Sequence, residues 1–298
     1  VLMIPAFASQ AVACEGRSYD GPGVMGAPLC LPSTPQRIVT LDPTFSLGMA
    51  LELGLPVVGA PLSGMSDASL KNRAEAAGVA DLGTFAQPSI ERIVALQPDL
   101  IVGSGFLGDG AYEMASRIAP ALFVTPEDWK DFFHVLAAAT GRADAAGEAF
   151  AAYDRRVADI RARAPDVRVS VVRITPWDFQ VYPDTPGAYG PFAVLREAGI
   201  RRSAYETTHG DTTVKRPDWE ELANLDGDVL LYIVGGANDS DRSGRHKEVI
   251  SNPLWQMLPA VKAGRTHRVD AATWMEFSGL SSANKVLDDI ERLLLTEP

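Results

Sequence analysis

Arg173 closes a valine-rich run, Asp166-Val-Arg-Val-Ser-Val-Val-Arg173-Ile174, and its neighbours at that end are apolar. A guanidinium placed there needs solvent or an anionic partner. Its planar fork of donors suits such a partner and does not lose its proton. Aromatic residues gather at the ends of the expected strands: Trp274 in Thr273-Trp-Met-Glu-Phe277, Tyr182, Trp177, Phe85 in Gly83-Thr-Phe-Ala-Gln-Pro88, and Phe106 in Gly103-Ser-Gly-Phe106. Strand-end loops are where α/β folds bind ligands, and flat apolar faces offer them contact area. Trp274 and Tyr182 lead this group, whereas Trp219 and Trp255 read as structural. The chemistry implied is noncovalent capture.

Signals for catalysis are weaker. Gly103-Ser-Gly105-Phe-Leu-Gly108 has the dinucleotide-loop spacing after a strand, with Glu127 and Asp128 following the next strand. Asp109 then puts a negative charge where a pyrophosphate would meet the helix N-terminus, so a glycine-rich cleft loop is the better account. His209 near Asp211 lies in a polar loop without a nucleophile. Gly-x-Ser-x-Gly, His-Glu-x-x-His and a P-loop lysine are all missing from the sequence. The histidines, His134, His209, His246 and His267, are scattered without zinc-ligand spacing.

The elements that must position these residues are announced by a repeat. Pro88-Ser-Ile-Glu91-Arg-Ile-Val-Ala-Leu96-Gln-Pro-Asp99-Leu-Ile-Val recurs as Pro217-Asp-Trp-Glu220-Glu-Leu-Ala-Asn-Leu225-Asp-Gly-Asp228-Val-Leu-Leu. Each copy reads as a short helix, a turn and a buried strand, which implies two similar lobes with a ligand cleft between them. Glu91 and Glu220 hold matched places, so together they could meet a two-fold partner through equal charge-assisted pairs. Strands alternating with helices predict mainly parallel sheets. Between the copies, 142–164 lacks proline, and Phe150, Tyr153, Val157 and Ile160 share one helical face. This predicts a helix of about 20 residues, roughly 30 Å long, acting as a stiff strut rather than a floppy linker. A closing helix over 281–295 carries the apolar stripe Val286, Leu287, Ile290, Leu293 and Leu294.

The chain has 298 residues, 46% of them hydrophobic, enough for two ordinary cores. Its net charge of −11 argues against nucleic acid as a partner. Residues 1–13 are small and apolar and read as the end of a secretory leader, with cleavage after Ala8 or Ala13. The two cysteines, Cys14 and Cys30, then read as a disulfide worth about 3 kcal/mol. Lipidation of Cys14 is the alternative, but it would strand Cys30 as an odd thiol. The expected divisions are 14–34 as a Cys-bounded loop, 35–141 as the first lobe, 142–164 as the connecting helix and 165–298 as the second lobe.

Taken in order, Leu31-Pro-x-x-Pro-x-Arg-Ile-Val, Pro43-Thr-Phe-Ser-Leu-Gly48, Leu96-Gln-Pro-Asp-Leu-Ile-Val, the doubled Glu motif, Asn252-Pro-Leu-Trp-Gln-Met-Leu-Pro-Ala-Val-Lys-Ala-Gly-Arg265 and Val286-Leu-Asp-Asp-Ile290 resemble the iron-complex substrate-binding proteins of bacterial ABC importers. The resemblance runs from about Pro35 to Leu295. It implies a periplasmic, monomeric binding protein rather than an enzyme, with two α/β lobes bridged by one long rigid helix and little hinge motion. The implied cargo is a ferric siderophore whose iron is held by the chelator, with no cofactor and no protein metal ligands. Thr44 and Phe45 would join Arg173 and the aromatics at the ligand, and Glu91 and Glu220 would dock on arginines of an inner-membrane permease. Cobalamin or haem is the alternative cargo within that family. A nucleotide-dependent oxidoreductase using Gly103–Gly108 is the alternative outside it.

Overall fold

The computed structural model describes residue 14 and residues 16–207, 212–235 and 242–295. The expected leader over 1–13 and the pair His209 and Asp211 lie outside the described residues.

Two separate five-stranded sheets form the lobes. In the first, the all-parallel strand order is Ala80–Asp81, Val57–Ala60, Ile38–Thr40, Leu100–Ser104, Ala121–Val124. In the second, Arg168–Ile174 and Val229–Val234 lie side by side, flanked by Thr266–Val269, Arg201–Arg202 and the antiparallel strand Phe179–Gln180. The central strands are almost wholly apolar because helices cover both faces, as parallel sheets require. In each lobe the strand order reverses beside the first strand, at Ile38–Thr40 and at Arg168–Ile174. Such a switch point opens a crevice at the carboxyl ends of the strands.

The sequence repeat has a physical cause in this packing. Asp99 Oδ1 accepts the Arg37 N–H at 2.9 Å while the Asp99 N–H donates to the Arg37 carbonyl at 3.0 Å. Asp228 repeats the clamp on Arg168, at 2.8 Å and 2.7 Å. The duplicated aspartate thus fixes the register of the two central strands of each lobe. Ile93 and Leu222 are the buried residues of the helical turns in the two copies. The copies differ in their helices. Ile90–Ala95 is α-helical and capped by Ser89, but the second copy forms only the 3₁₀ turn Glu221–Asn224. There the Asn224 side chain donates to the Glu221 carbonyl at 2.9 Å, the local competition that makes Asn a poor helix former.

The predicted strut is the helix Ala143–Ala162, with Phe150, Tyr153 and Ile160 buried. It does not hold the lobes alone. One continuous apolar cluster includes Leu47 and Phe132 of the first lobe, Phe150 of the strut, and Phe192 and Phe277 of the second lobe. Trp129 is its hub, with ring centroids 5.6 Å from Phe150, 5.7 Å from Tyr153 and 5.2 Å from Phe277. The closing helix, Leu280–Ile290, adds a second strap and runs on as a π-turn, Glu291–Leu295. Its first N–H groups, of Leu280 and Ser281, donate to the Glu52 carboxylate of the first lobe at 2.9 Å and 2.8 Å. Burial pushes the Glu52 carboxyl up to about 7.

Cys14 and Cys30 are disulfide-bonded, with Cα atoms 5.5 Å apart. The segment they bound is more than a loop. It holds the hairpin Arg17–Tyr19 with Leu29–Leu31, and its Val24 bridges Val124 at the edge of the first sheet. Arg17 donates to the Ala138 carbonyl at 2.8 Å, capping the helix Trp129–Ala139. Among the described residues no helix is long and apolar enough to cross a membrane.

Candidate functional site

Two adjoining cavities, of about 510 Å³ and 330 Å³, open at the switch point of the first lobe against residues of the second lobe. Each is within the range of small-molecule sites. Phe45 and Phe106 line both cavities and form the partition between them.

The larger cavity is built mainly on the first lobe. Asp42 follows the strand Ile38–Thr40 and is nearly buried. Its carboxylate accepts the Ser46 N–H at 3.0 Å, the Ser104 N–H at 3.2 Å and the Thr44 hydroxyl at 3.4 Å. Burial pushes the Asp42 carboxyl upward against those hydrogen bonds. The backbone turn so fixed presents Thr44 and Phe45 to the cavity, and Phe85 and Phe106 face it with exposures of 53% and 74%. Met275 and Glu276 reach in from the second lobe. Glu276 is held by the backbone N–H groups of Ser66 and Asp67, the latter at 2.7 Å, so it also ties the lobes together.

The smaller cavity lies against the second lobe. Tyr182 and Tyr189 line it opposite Glu127 and Asp128. Tyr182 stacks on Phe192 at 4.8 Å and donates to Gln180 Oε1 at 3.0 Å, so its ring is preset. Tyr189 donates to the Met275 carbonyl at 3.1 Å. Burial raises its phenol while the nearby Arg173 charge opposes that rise.

Arg173 projects from the same sheet face as Val169 and Val171, the face covered by Phe192, and it lies where that cover ends beside Tyr189. It is only 8% exposed, and its Nε is buried with no hydrogen-bond partner. No carboxylate among the described residues pairs with it. The matched clamps at Arg37 and Arg168 place Asp42 and Arg173 five residues further along equivalent strands, so a carboxyl stands at one switch point and a guanidinium at the other.

Three of the expected ligand residues, Arg173, Trp274 and Trp177, line neither cavity. Trp274 is 0% exposed: it packs on Phe192 at 6.0 Å and donates from Nε1 to Asp289 Oδ2 at 2.9 Å. The reason is local. Asp270 caps the helix Ala271–Met275 by accepting the Thr273 N–H at 2.8 Å, which turns the supposed loop into a helix and aims the indole inward. The Asp-x-x-Thr spacing carried that signal in the sequence. Trp177 is 68% exposed in the turn between Arg168–Ile174 and Phe179–Gln180, and it lines neither cavity. Conversely, Asp42, Tyr189, Met275 and Glu276 were not expected. Met275 and Glu276 follow from the same helix that buries Trp274.

The Gly103–Gly108 loop has a steric explanation. A Cβ on Gly105 would fall 2.0 Å from Thr125 Oγ1, and Gly108 has a φ of 80°, so both glycines are required without any phosphate. Glu91 and Glu220 are exposed, and neither forms a hydrogen bond or ion pair through its side chain among the described residues. Helix-start capping is done instead by Ser89 and Asp218. Among the described residues no group of three or more His, Cys, Asp or Glu side chains is placed to hold a metal ion.

The chain is 31% identical over 287 residues to the probable siderophore-binding lipoprotein YfiY of Bacillus subtilis, covering 91% of this chain and 86% of that one. It is 28% identical to the achromobactin-binding periplasmic protein of Dickeya dadantii, covering 87% and 86%. The fold matches Staphylococcus aureus SirA, solved with staphyloferrin B, with a TM-score of 0.76 at 24% identity over 88% of this chain and 94% of that one. Residues 38–273, both lobes and the strut between them, match the family model described as periplasmic binding protein, and the chain belongs to that family.

Proposed function

We propose that the chain is an extracytoplasmic binding protein that captures a ferric siderophore in the inter-lobe cleft and hands it to an ABC import permease. The observation that carries this reading is the nearly buried Arg173, unpaired among the described residues, beside an aromatic-lined cleft of two cavities. An isolated buried charge is costly, and a chelate with an anionic group would neutralise it. Phe45, Phe85, Phe106, Tyr182 and Tyr189 would hold the organic shell, with Thr44 at the rim. The iron would arrive with its own ligands. The printed names of YfiY and the achromobactin-binding protein support this class of cargo.

Permease docking would use Glu91 and Glu220. Their exposure and lack of partners among the described residues support this, as do exposed apolar neighbours: Ile90 and Val94 beside Glu91, and Leu254 and Met257 around the helix packed on the turn after Glu220. The disulfide fits an oxidising compartment, and both thiols are spent on it.

Titration of the protein's tryptophan fluorescence tests the cargo. Saturable submicromolar binding of a ferric chelate, with no response to cobalamin, haem or NAD, is expected. Binding of cobalamin or haem alone would reassign the cargo, and NAD binding lost in Gly105→Val would reject the binding-protein reading.

A further inference from the structure

The cleft is electrically polarised rather than basic. Neither Lys nor Arg lines the two cavities among the described residues, whereas Asp42, Glu276, Glu127 and Asp128 do. Three of these acids are already occupied, Asp42 by the Ser46 and Ser104 N–H groups and the Thr44 hydroxyl. Glu276 holds the Ser66 and Asp67 N–H groups, and Asp128 caps the helix Trp129–Ala139. Glu127 is exposed at the rim with no side-chain partner among the described residues. Behind this lining, Arg173 holds the register position that Asp42 occupies in the other lobe.

Ferric chelates differ in net charge by simple arithmetic. Three catecholates, each contributing about −2, leave about −3 on Fe³⁺. Three hydroxamates leave roughly 0. Two hydroxamates with one doubly deprotonated α-hydroxycarboxylate leave about −1. A trianion brought into this cleft would meet several acids and, among the described residues, no lining cation, in surroundings where charge interactions are stronger than in water. A chelate carrying a single excess negative charge could place its anionic arm on Arg173 and leave its uncharged arms against Phe85, Phe106 and Tyr182.

Resting on the proposed function, we infer that the cleft selects ferric chelates of low net charge, with one anionic group on Arg173, and discriminates against trianionic ferric triscatecholates. This reading assigns Glu127 a specificity role, as a fixed negative charge at the entrance of the smaller cavity.

The test is a ranking of dissociation constants for the three chelate classes on the full chain. The mixed dihydroxamate–hydroxycarboxylate complex should bind at least about tenfold tighter than the triscatecholate, a factor equal to about 1.4 kcal/mol. Arg173→Gln should erase most of that preference. Because Arg173 is nearly buried and its variant could fold poorly, the exposed Glu127→Lys provides a second arm: it should strengthen triscatecholate binding several-fold and leave the neutral trishydroxamate within about twofold. The preference should also shrink as ionic strength rises. A triscatecholate binding as tightly as the mixed complex, or a neutral complex binding tightest with Arg173→Gln without effect, overturns the inference while leaving siderophore capture standing. Failure of all three chelates to bind removes the proposed function itself.

Discussion

Trp274→Phe should destabilise the chain by about 1–3 kcal/mol, because it leaves Asp289 without the indole N–H it accepts. Affinity for a ferric chelate should stay within about twofold. Phe106→Ala should do the reverse: its ring is 74% exposed, so stability should change by less than about 0.5 kcal/mol while affinity falls about tenfold. Thermal denaturation and fluorescence titration of both variants check this contrast, and a Trp274 variant with weak binding and normal stability would contradict it. Residues that a strand end presents directly were readable in the sequence. Arg173 and Phe106 stand next to long apolar runs, so their location needed no knowledge of neighbouring turns. Trp274 depended on whether Asp270 starts a helix, and Tyr189 on how two distant segments meet across the cleft.

Glu52 gives one pH-dependent link between elements. Its carboxyl rises from 4.5 to about 7 in the folded chain because burial outweighs the two N–H donors and the nearby Arg73 and Lys285 charges. Between these values the native chain keeps a proton that the unfolded chain has released. The stability contributed through Glu52 is therefore full below about pH 4.5 and lost as pH rises through about 7. The Tm of the parent minus that of Glu52→Gln should decline from about pH 4.5 to about pH 8, and a difference that grows over that window would contradict the assignment. The hairpin strapped by Cys14 and Cys30 makes a second prediction. Replacing both with Ser should cost about 3 kcal/mol and lower Tm, and an unchanged Tm would mean the strap does not constrain the unfolded chain. Elements set by periodicity were legible, the strut above all. The second repeat copy was not, because Asn224 diverts a helical pattern into a single 3₁₀ turn.

The lobes share one apolar cluster, the strut, the Glu52 latch and the Glu276 tie. A molecule joined in this way keeps its cleft formed before cargo arrives, which limits the reorganisation cost of binding. On the proposed function, release would involve the permease, with the exposed Glu91 and Glu220 as the proposed contacts. Reversing both charges, Glu91→Lys with Glu220→Lys, should abolish chelate uptake by cells while leaving affinity in solution within about twofold; equal loss of affinity would reject the docking role. The two-lobe plan was readable because the repeat encodes the Asp99 and Asp228 clamps. The fused core was not, since Trp129, Phe150 and Phe277 come together only in three dimensions.

Cleft capture is tested most directly by the position of iron in a crystal grown with the ferric dihydroxamate–hydroxycarboxylate complex. The iron anomalous peak is expected between the lobes, bounded by Phe45, Phe106 and Tyr189, with an anionic chelate group on Arg173. An iron peak on the outer surface of either lobe, in a chain that binds the same chelate tightly in solution, would contradict it.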